Sequence, residues 1–455
     1  MKHILVLGAG KSSPSLIRYL LENAEANDWF VTVGDYNQDA AKERVADHPK
    51  GTAIFFDVTD PSMVEHQVKN ADVVVNFLAP RFQYQVAYEC VQHGVHMVSA
   101  SYRSKEIREL DTTAKREGVL ILNETGLDPG IDLMSAQEII SRVRSEGGII
   151  RKFVSYGSGL PANDEDPNPF EYVITWNPYN VVVAGGNGAQ YLEDGKIKIL
   201  PYHQVFRQTW PVDVDDIGTL EAYPNRDSLA YKDLFGLQHA VTMIRGTLRN
   251  PTFAESWLPI INLGLTNDEL TIPELHERSM REIVEMCLPP HVNGSDIKLR
   301  VANYLRINAT GYTMKKLEWL GLFDEEKCGC TGKTPADAMV HLISKKLALP
   351  DNGRDMVILV HKMLVDYPDA AKPRPSEKII STMIKYGDAG GETAMSKTVG
   401  LPAAIAVKLI LTDQLKLTGS HIPIHAAIYT PILKELEGLD IKFVERTEAV
   451  EEMKK

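Results

Sequence analysis

Cysteine is scarce in this chain, with four among 455 residues. That number cannot supply the dense disulfide framework of a small secreted protein. Cys328 and Cys330 form a Cys-Gly-Cys pair, but neither a second pair nor a histidine-rich segment follows or precedes them closely. Zinc sites in proteins usually combine two such groups, so we predict no metal site.

Positive charge is also in short supply. The chain has 49 Lys and Arg against 61 Asp and Glu, a formal net charge of −12. An acidic chain repels phosphate backbones and anionic membranes, which argues against nucleic acid or a membrane as its main partner. An anionic small molecule would need a local cluster of basic residues.

Long apolar runs are missing as well. No run reaches the roughly 18 residues that a membrane-spanning helix needs. The first predicted strand follows Met1-Lys2-His3 directly, which leaves no room for a signal peptide. We therefore expect a cytoplasmic protein.

The chain does contain a regular alternation of short apolar runs and amphipathic helical patterns over its first quarter. Alternation of this kind is typical of a doubly wound parallel sheet, as in the Rossmann fold. The predicted strands are Ile4–Leu7, Phe30–Val33, Ala53–Phe56, Val73–Phe77, His96–Ser99 and Leu120–Asn123.

The pattern changes after Asn123. Strand signals at 150–155, 172–176 and 197–200 indicate a mixed or antiparallel sheet, helical patterns dominate from about 273 to 347, and 355–360 is again a predicted strand. The apolar segment 394–411, with Pro402 as a break or second start, is expected to pack back on the first domain. The fold class is thus α/β, with an inserted α+β domain and a helical subdomain. The predicted boundaries are 1–127 plus about 392–427 for the Rossmann domain, about 128–265 and 352–391 plus 428–455 for the α+β domain, and about 266–351 for the helical subdomain.

The segment Gly8-Ala9-Gly10-Lys11-Ser12-Ser13 follows the first predicted strand and precedes a helix. Glycines there permit a tight turn and let backbone N–H groups approach a pyrophosphate at the helix N-terminus. The alternative is an ordinary turn between a strand and a helix. A triphosphate-binding P-loop is excluded, because the position that needs its first glycine is Leu5.

Asp35 ends the second predicted strand. A carboxylate at that place accepts hydrogen bonds from a ribose diol and repels a 2′-phosphate. Tyr36 and Asn37 follow it, so no arginine is there to receive a phosphate. The pattern favours NAD, with NADP possible; the alternative is a solvated Asp at the start of a turn.

Asp128 lies in the bend Gly126-Leu127-Asp128-Pro129-Gly130, after the last parallel strand. Ligands bind at the carboxyl ends of such strands, where Asp128 could exchange a proton with a substrate amine. The alternative is a turn-forming Asp ahead of proline. Asp132 could either contribute to the site or cap the helix that follows.

Two arginine-bearing segments follow much later, Tyr223–Ser228 with Arg226, and Arg245–Arg249. Arginines in loops with glycine and proline suit bidentate binding of carboxylates. They would give an acidic protein the local basic cluster that an anionic substrate needs. The alternative is ordinary surface ion pairs.

Taken together, these motifs resemble the saccharopine reductase family, the glutamate-forming saccharopine dehydrogenases. The resemblance extends from the first strand to about residue 445. The matching segments are Gly8–Gly10, Ser99–Tyr102, Asn123–Asp132, Ser155–Ala162, Ala222–Ser228, Arg245–Arg249, Leu317–Phe323, Arg354–Val357 with His361-Lys362, and Ala394–Pro402.

The resemblance implies a Rossmann domain, a substrate-binding and dimerisation domain, a helical domain, and a homodimer. It also implies interconversion of saccharopine with L-glutamate and 2-aminoadipate 6-semialdehyde through an imine. By resemblance, the substrate contacts are Ser101, Tyr102, Asp128, Arg226, Arg245 and Thr247. The implied cofactor contacts are Gly10, Lys11, Ser12, Ser13, Asp57, Val58, Leu78, Leu127 and Trp176, beside Gly8 and Asp35 from the strand ends.

Two positions depart from the fungal members of the family. Gly157 stands where they carry cysteine, so no thiol role transfers, and Tyr36 stands where they carry arginine. The second departure again favours NAD. Asp128 and Tyr102 are the expected proton-handling groups.

Two other functions stay open at this point. A carboxynorspermidine-type imine reductase uses a cationic substrate, which would favour acidic residues over the two arginine segments. A non-catalytic dinucleotide-binding protein would need neither arginine segment.

Overall fold

The computed structural model describes residues 1–162, 168–368 and 374–450. It divides into two compact units, Met1–Glu146 with Met383–Val444, and Gly147–Thr382 with Glu445–Lys455. The chain therefore leaves the first unit, builds the second, and returns. The predicted division into three domains stays a prediction.

The helices and strands up to residue 146 alternate as the sequence predicts. They are β1 (Lys2–Leu7), α1 (Pro14–Glu22), β2 (Trp29–Asp35), α2 (Gln38–Val45), β3 (Gly51–Phe55), α3 (Pro61–Val68), β4 (Val73–Asn76), α4 (Gln83–Gln92), β5 (His96–Val98), α5 (Lys105–Glu109), α6 (Asp111–Arg116), β6 (Leu120–Leu122) and α7 (Ile131–Ser145).

The rest of the chain mixes long strands with a run of helices. The second unit begins with β7 (Ile149–Pro161), α8 (Pro178–Val183), β8 (Ala189–Glu193), β9 (Lys196–Leu200), α9 (Tyr202–Val205), β10 (Trp210–Val214), β11 (Gly218–Pro224), α10 (Ala230–Leu234), β12 (Thr242–Arg249) and α11 (Phe253–Asn262). There follow α12 (Met280–Cys287), α13 (Ile297–Leu305), α14 (Tyr312–Leu320), α15 (Pro335–Lys346), β13 (Asp355–Tyr367), β14 (Arg374–Tyr386), α16 (Ala394–Leu411), β15 (Gly419–His421), α17 (Ala426–Gly438) and β16 (Val444–Ala449).

The sheet of the first unit has seven strands in the order β15-β6-β5-β4-β1-β2-β3. All of its described pairs are parallel. The apolar runs at 4–7 and 73–75 are fully buried, as expected for strands covered by helices on both faces. The doubly wound fold is confirmed. The chain reverses direction across the sheet between β1 and β4, which is the place where such folds bind ligands.

The second unit has a nine-stranded mixed sheet, in which β10-β11-β12-β7-β13-β14-β16 are neighbours and β8 and β9 branch from β12. The central strand β7 pairs with β12 in parallel and with β13 in antiparallel. Helices α11 to α15 bury a separate apolar cluster that includes Trp257, Leu317 and Met339. The predicted mixed sheet and helical region are both present.

Three local predictions were wrong. Residues 172–176 form no strand but an irregular segment with one bridge, Ile174 to Ala348, because its aromatic side chains pack into the helical cluster. The sequence pattern predicts a single helix over 108–117, but the structure has two short helices there, α5 and α6. Pro402 does not interrupt α16, which is continuous from Ala394 to Leu411.

The expectation that no segment is long and apolar enough to span a membrane was also wrong. Helix α16 passes that test by length and composition, with a mean hydropathy of 1.5. It is 78% buried within the structure, and it packs against α1. A buried core helix of a globular protein passes the same test.

Candidate active site

The glycine segment after β1 makes a close approach to the strand next to it. Gly8 has a φ of +106°, and a Cβ there would lie 3.0 Å from the carbonyl oxygen of Phe77. Its N–H donates to the carbonyl of Gly34 across the sheet. Only glycine adopts this positive φ and fits this close contact without strain. The backbone can therefore turn sharply at the end of β1.

Helix α1 begins just beyond this segment. Ser13 is the N-cap residue and Pro14 occupies the first turn, where its missing N–H costs nothing. Ser13 stands where many dinucleotide-binding proteins have a third glycine. The close helix contact in this unit occurs at Gly400 instead, where a Cβ would lie 2.9 Å from the backbone nitrogen of Leu16.

Asp35 holds the glycine segment in place. One of its carboxylate oxygens accepts the N–H of Ala9 at 2.7 Å and the other accepts the N–H of Asn37 at 2.8 Å. Tyr36 is 73% exposed, and its ring lies 5.4 Å from that of Phe55. The carboxylate thus lies beside the turn that would receive a dinucleotide, with an aromatic residue where an arginine would bind a 2′-phosphate.

The next two strand ends carry the other implied cofactor contacts. Asp57 follows β3, and the hydroxyl and backbone N–H of Thr59 hold the pKa of its carboxyl below the usual range. Val58 is buried. Leu78 follows β4 and is fixed at both backbone groups, since its N–H donates to Asn76 and its carbonyl accepts from Gln83.

The loops after β5 and β6 bind one another. Glu124 donates its N–H to the carbonyl of Ser101, and Thr125 donates to that of Ser99. Tyr102 is 36% exposed, and Asp128 is half-buried in the bend that follows. The two predicted proton-handling groups therefore belong to neighbouring loops.

The bend itself is tightly closed. Gly130 has a φ of +151°, and a Cβ on it would lie 2.0 Å from the carbonyl oxygen of Gly126. Asp132 is buried and accepts the N–H of Gly130 at 2.7 Å. The N-cap residue of α7 is Gly130, and the described helix has no side-chain N-cap hydrogen bond. Both alternatives for Asp132 stay predictions.

All of these residues lie at one edge of the seven-stranded sheet, because parallel strands end on the same side. We call this set the cofactor edge. Its members are Gly8–Ser13, Asp35, Asp57, Val58, Leu78, Ser101, Tyr102, Leu127 and Asp128. The predicted site residues of the first unit are thus brought together. The first amides of α1 are already used or missing, since Pro14 has no N–H and Ser15 donates its N–H to the hydroxyl of Ser396 at 3.0 Å. A pyrophosphate would therefore meet the glycine segment that precedes the helix.

The predicted arginines lie in the second unit. Arg226 is exposed in the turn after β11, with a φ of +51°. Arg245 is only 4% exposed, and its guanidinium carbon lies 4.1 Å from the ring centre of Tyr231. The two segments are adjacent, since Asn225 donates its N–H to the carbonyl of Arg245. The surface ion-pair alternative does not describe a buried guanidinium stacked on a ring.

Strand register adds a residue that motif reasoning overlooked. Arg245 on β12, Ser155 on β7 and His361 on β13 are aligned in one row across the sheet. His361 is completely buried, and burial together with the charge of Arg245 lowers its pKa to about 3. The imidazole beside Arg245 is therefore neutral at physiological pH.

Thr247 belongs to a second polar group on the same strand. Burial raises the pKa of the Tyr223 hydroxyl, while Arg249 and Thr247 act in the opposite direction. The indole N–H of Trp176 donates to the hydroxyl of Tyr172 at 3.4 Å. We call Arg226, Arg245, Thr247 and Arg249 the arginine cluster. Tyr223 and Tyr172 were missed, because strand register places Tyr223 opposite Thr247 and tertiary packing places the ring of Tyr172 against Arg249.

Metal ligation finds no support in the part of the chain that the structure describes, where no group of three or more His, Cys, Asp or Glu could hold an ion. Cys328 accepts the N–H of Cys330 and its thiol contacts the carbonyl of Leu275. Both cysteines are free thiols. They lie in the helical region and are not among the residues of either set.

Two family models cover most of the chain. The saccharopine dehydrogenase NADP binding domain matches residues 4–122, and the saccharopine dehydrogenase C-terminal domain matches residues 126–441. Together they include both the cofactor edge and the arginine cluster.

Two curated relatives match over nearly their full lengths, and a third matches over part of its length. The NADP(+)-dependent, L-glutamate-forming saccharopine dehydrogenase of Saccharomyces cerevisiae is 32% identical over 96% of this chain and 97% of its own. Its counterpart in Pyricularia oryzae is 30% identical over 97% and 98%. The α-aminoadipic semialdehyde synthase of Arabidopsis thaliana is 32% identical over 94% of this chain, but this match covers only 41% of that protein.

Comparison with solved structures indicates the same relationship. The apo saccharopine dehydrogenase from Saccharomyces cerevisiae superposes with a TM-score of 0.84 at 31% identity, covering 99% of this chain and all of the other. A homospermidine synthase from Legionella pneumophila shares the fold alone, with a TM-score of 0.57 at 11% identity. The chain belongs to the saccharopine dehydrogenase family.

Proposed function

We propose that this chain is an L-glutamate-forming saccharopine dehydrogenase that acts in lysine metabolism. The observation that carries the proposal is the pairing of a dinucleotide-binding sheet edge with a cluster of arginines in a chain of net charge −12. Saccharopine has three carboxylates and one secondary amine. A polyamine precursor would be cationic, and buried arginines would repel it.

The chain uses a nicotinamide dinucleotide. The glycine segment Gly8–Ser13 and the strand ends of the first unit fit its pyrophosphate and ribose. When bound there, it would supply a hydride acceptor for the lysine-derived carbon next to the substrate nitrogen.

The chain's own residues bind and orient the substrate and handle its protons. Arg226 and Arg245 hold substrate carboxylates and so fix the reacting carbon in place. Asp128, with Tyr102 beside it, takes the proton of the secondary amine before hydride leaves. Water then opens the resulting imine to glutamate and 2-aminoadipate 6-semialdehyde.

For the choice of cofactor we propose NAD over NADP. Support comes from Asp35, whose carboxylate lies beside the glycine segment, and from Tyr36 where an arginine could bind the 2′-phosphate. The relatives named above argue the other way, since their names specify NADP(+). The carboxylate at position 35 is the local reason to set this chain apart.

One assay tests both proposals. Purified protein is given saccharopine with NAD or with NADP, and the absorbance of the reduced cofactor is followed. Turnover with a larger kcat/KM for NAD is expected. No turnover with either cofactor, despite measurable cofactor binding, would refute the activity, whereas a larger kcat/KM for NADP would refute the cofactor preference alone.

We also propose a homodimer in the cytoplasm. Strand β9 pairs only with β8 among the described strands, and Ile197 and Ile199 on it are 61% and 72% exposed. Apolar side chains on an open strand edge favour association with another chain. Light scattering on the purified protein checks the assembly, and a monomer at micromolar concentration would contradict it.

A further inference from the structure

Arg249, the last residue of β12, is a buried cation that makes no ion pair within the part of the chain that the structure describes. It is 8% exposed. Its Nη1 donates to the carbonyl of Leu248 at 2.8 Å and to the hydroxyl of Ser158 at 3.2 Å. In the described residues its Nε–H, which is closed to solvent, has no acceptor. No hydrogen bond from its Nη2 and no ion pair is present there either.

Aromatic rings enclose the same guanidinium. Its central carbon lies 4.7 Å from the ring centre of Tyr172 and 5.4 Å from that of Phe253. Such contacts stabilise a cation, but by less than the cost of removing a charge from water. Arginine keeps its charge in proteins, so this cation is stabilised fully only when an anion arrives.

The carboxylate nearest in register does not neutralise it. Glu221 on β11 is aligned with Arg249. Burial raises the pKa of its carboxyl, while the hydroxyl of Thr209 and the backbone N–H groups of Ala254 and Thr252 at the start of α11 act in the opposite direction. Among the described residues its Oε2 is buried without a hydrogen bond. Glu221 thus serves helix α11 and leaves Arg249 unpaired.

Position along β12 connects Arg249 to the substrate contacts. Arg245, Thr247 and Arg249 alternate along one strand, so they point to one face, and the outer two are about 13 Å apart at their Cα atoms. Arg249 and Thr247 both influence the hydroxyl of Tyr223. The unpaired Nε–H and Nη2 lie on one edge of the guanidinium, the edge that takes a carboxylate through two parallel hydrogen bonds.

We propose that Arg249 binds the third carboxylate of saccharopine, beside Arg226 and Arg245. The proposal rests on the function proposed above. Three carboxylates then meet three arginines, and the neutral His361 adds no competing charge near Arg245.

The test runs the reaction towards saccharopine with substrates that each lack one carboxylate. These are 2-aminopentanoate and 4-aminobutanoate in place of glutamate, and 5-aminopentanal in place of the semialdehyde. The unaltered protein is expected to lose at least about tenfold in kcat/KM with each, which is the usual effect of one lost charge-assisted contact. In Arg249→Gln the penalty should vanish for one of the three and persist for the other two.

Two further variants and two further measurements separate binding from folding. Arg249→Lys keeps the positive charge but cannot form two parallel hydrogen bonds to a carboxylate. It should recover part of the kcat/KM that Arg249→Gln loses. Arg281→Gln removes an exposed arginine that pairs with Glu325, and all three penalties should remain. Thermal unfolding and cofactor affinity are measured for every variant, and both should stay near the values of the unaltered protein.

Three outcomes are distinguishable. Loss of one penalty in Arg249→Gln supports the proposal and tells which carboxylate Arg249 holds. Retention of all three penalties, in variants that fold and bind cofactor, overturns it while the proposed activity stands. Absence of any turnover by the unaltered protein overturns both.

Discussion

The cofactor edge and the arginine cluster are built in different ways. The first is centred on the backbone of the glycine segment Gly8–Ser13 between β1 and α1, to which residues at the other strand ends are added. The second consists of side chains held in place by strand register, stacked rings and burial. We expect binding at a backbone site to be weakened mainly by substitutions that change its shape. We expect binding at a site of charged side chains to be weakened mainly by substitutions that remove a charge.

The largest effect is expected where shape matters most. Gly8→Val places a branched side chain at a φ of +106° and against the carbonyl of Phe77. Strain of about 1–3 kcal/mol corresponds to a loss of up to roughly 150-fold in cofactor affinity, measured by calorimetric titration. The matched control is Gly186→Ala, at a glycine with open space around it. Unchanged affinity in Gly8→Val would show that the strand end is not the cofactor site.

The converse experiment is Arg245→Gln, which keeps a similar shape and removes a charge. The KM for saccharopine should rise about 10–100-fold, the effect of one lost charge-assisted contact, and the dissociation constant of the cofactor should stay constant. Arg281→Gln is again the control. If Arg245→Gln weakens cofactor and substrate equally, the separation of the two sites by type is wrong.

His361 links the arginine cluster to stability at acid pH. Its pKa is lowered from 6.5 to about 3 in the folded chain, so below pH 6.5 the unfolded chain binds one proton that the folded chain does not. The contribution of His361 to the free energy of unfolding is therefore fully present above pH 6.5. It falls by about 1.4 kcal/mol per pH unit as the solution is acidified towards pH 3. Denaturant unfolding of His361→Gln at pH 7, 6, 5 and 4 should show a slope smaller by that amount. Parallel curves for both proteins would mean that His361 is accessible to protons in the folded state.

The smallest effect concerns cofactor choice. Asp35→Ser combined with Tyr36→Arg removes the carboxylate and adds a cation for a 2′-phosphate. The ratio of kcat/KM for NADP to that for NAD should rise about fivefold to tenfold, a change of around 1–1.4 kcal/mol. Tyr36→Phe alone should not alter the ratio. A ratio unmoved by the double variant would assign the preference to other parts of the cofactor edge.

The same contrast explains what could be predicted from sequence. Contiguous motifs predicted the six strands from β1 to β6 and the glycine segment, because local patterns determine them. The seventh strand β15 has only three residues and pairs with a partner almost 300 positions away, so no local pattern indicates it. Residues 172–176 have a strand-like composition, and their packing into the helical cluster overrides it.

Contacts that depend on strand register could not be predicted from the sequence either. The motif at 245–249 directed attention to the right strand, but the row from Arg245 through Ser155 to His361 depends on how β12, β7 and β13 are aligned. Nothing in the sequence around His361 indicates that it lies beside an arginine. The alternation of Arg245, Thr247 and Arg249 was visible and could have marked Arg249 as a third anchor.

The return of the chain to its first unit has a consequence for biosynthesis. Strand β6 ends at Leu122, and its outer neighbour β15 begins at Gly419, 419 − 122 = 297 residues later. At ordinary elongation rates of about 5–20 residues per second, the ribosome needs about 15–60 s to make that interval. Throughout that time β6 is an open sheet edge, and the face of α1 that packs against α16 is not yet covered. The first unit of the nascent chain therefore cannot complete its sheet until residue 419 has left the ribosome. We expect chaperones to bind the nascent chain most strongly before that point.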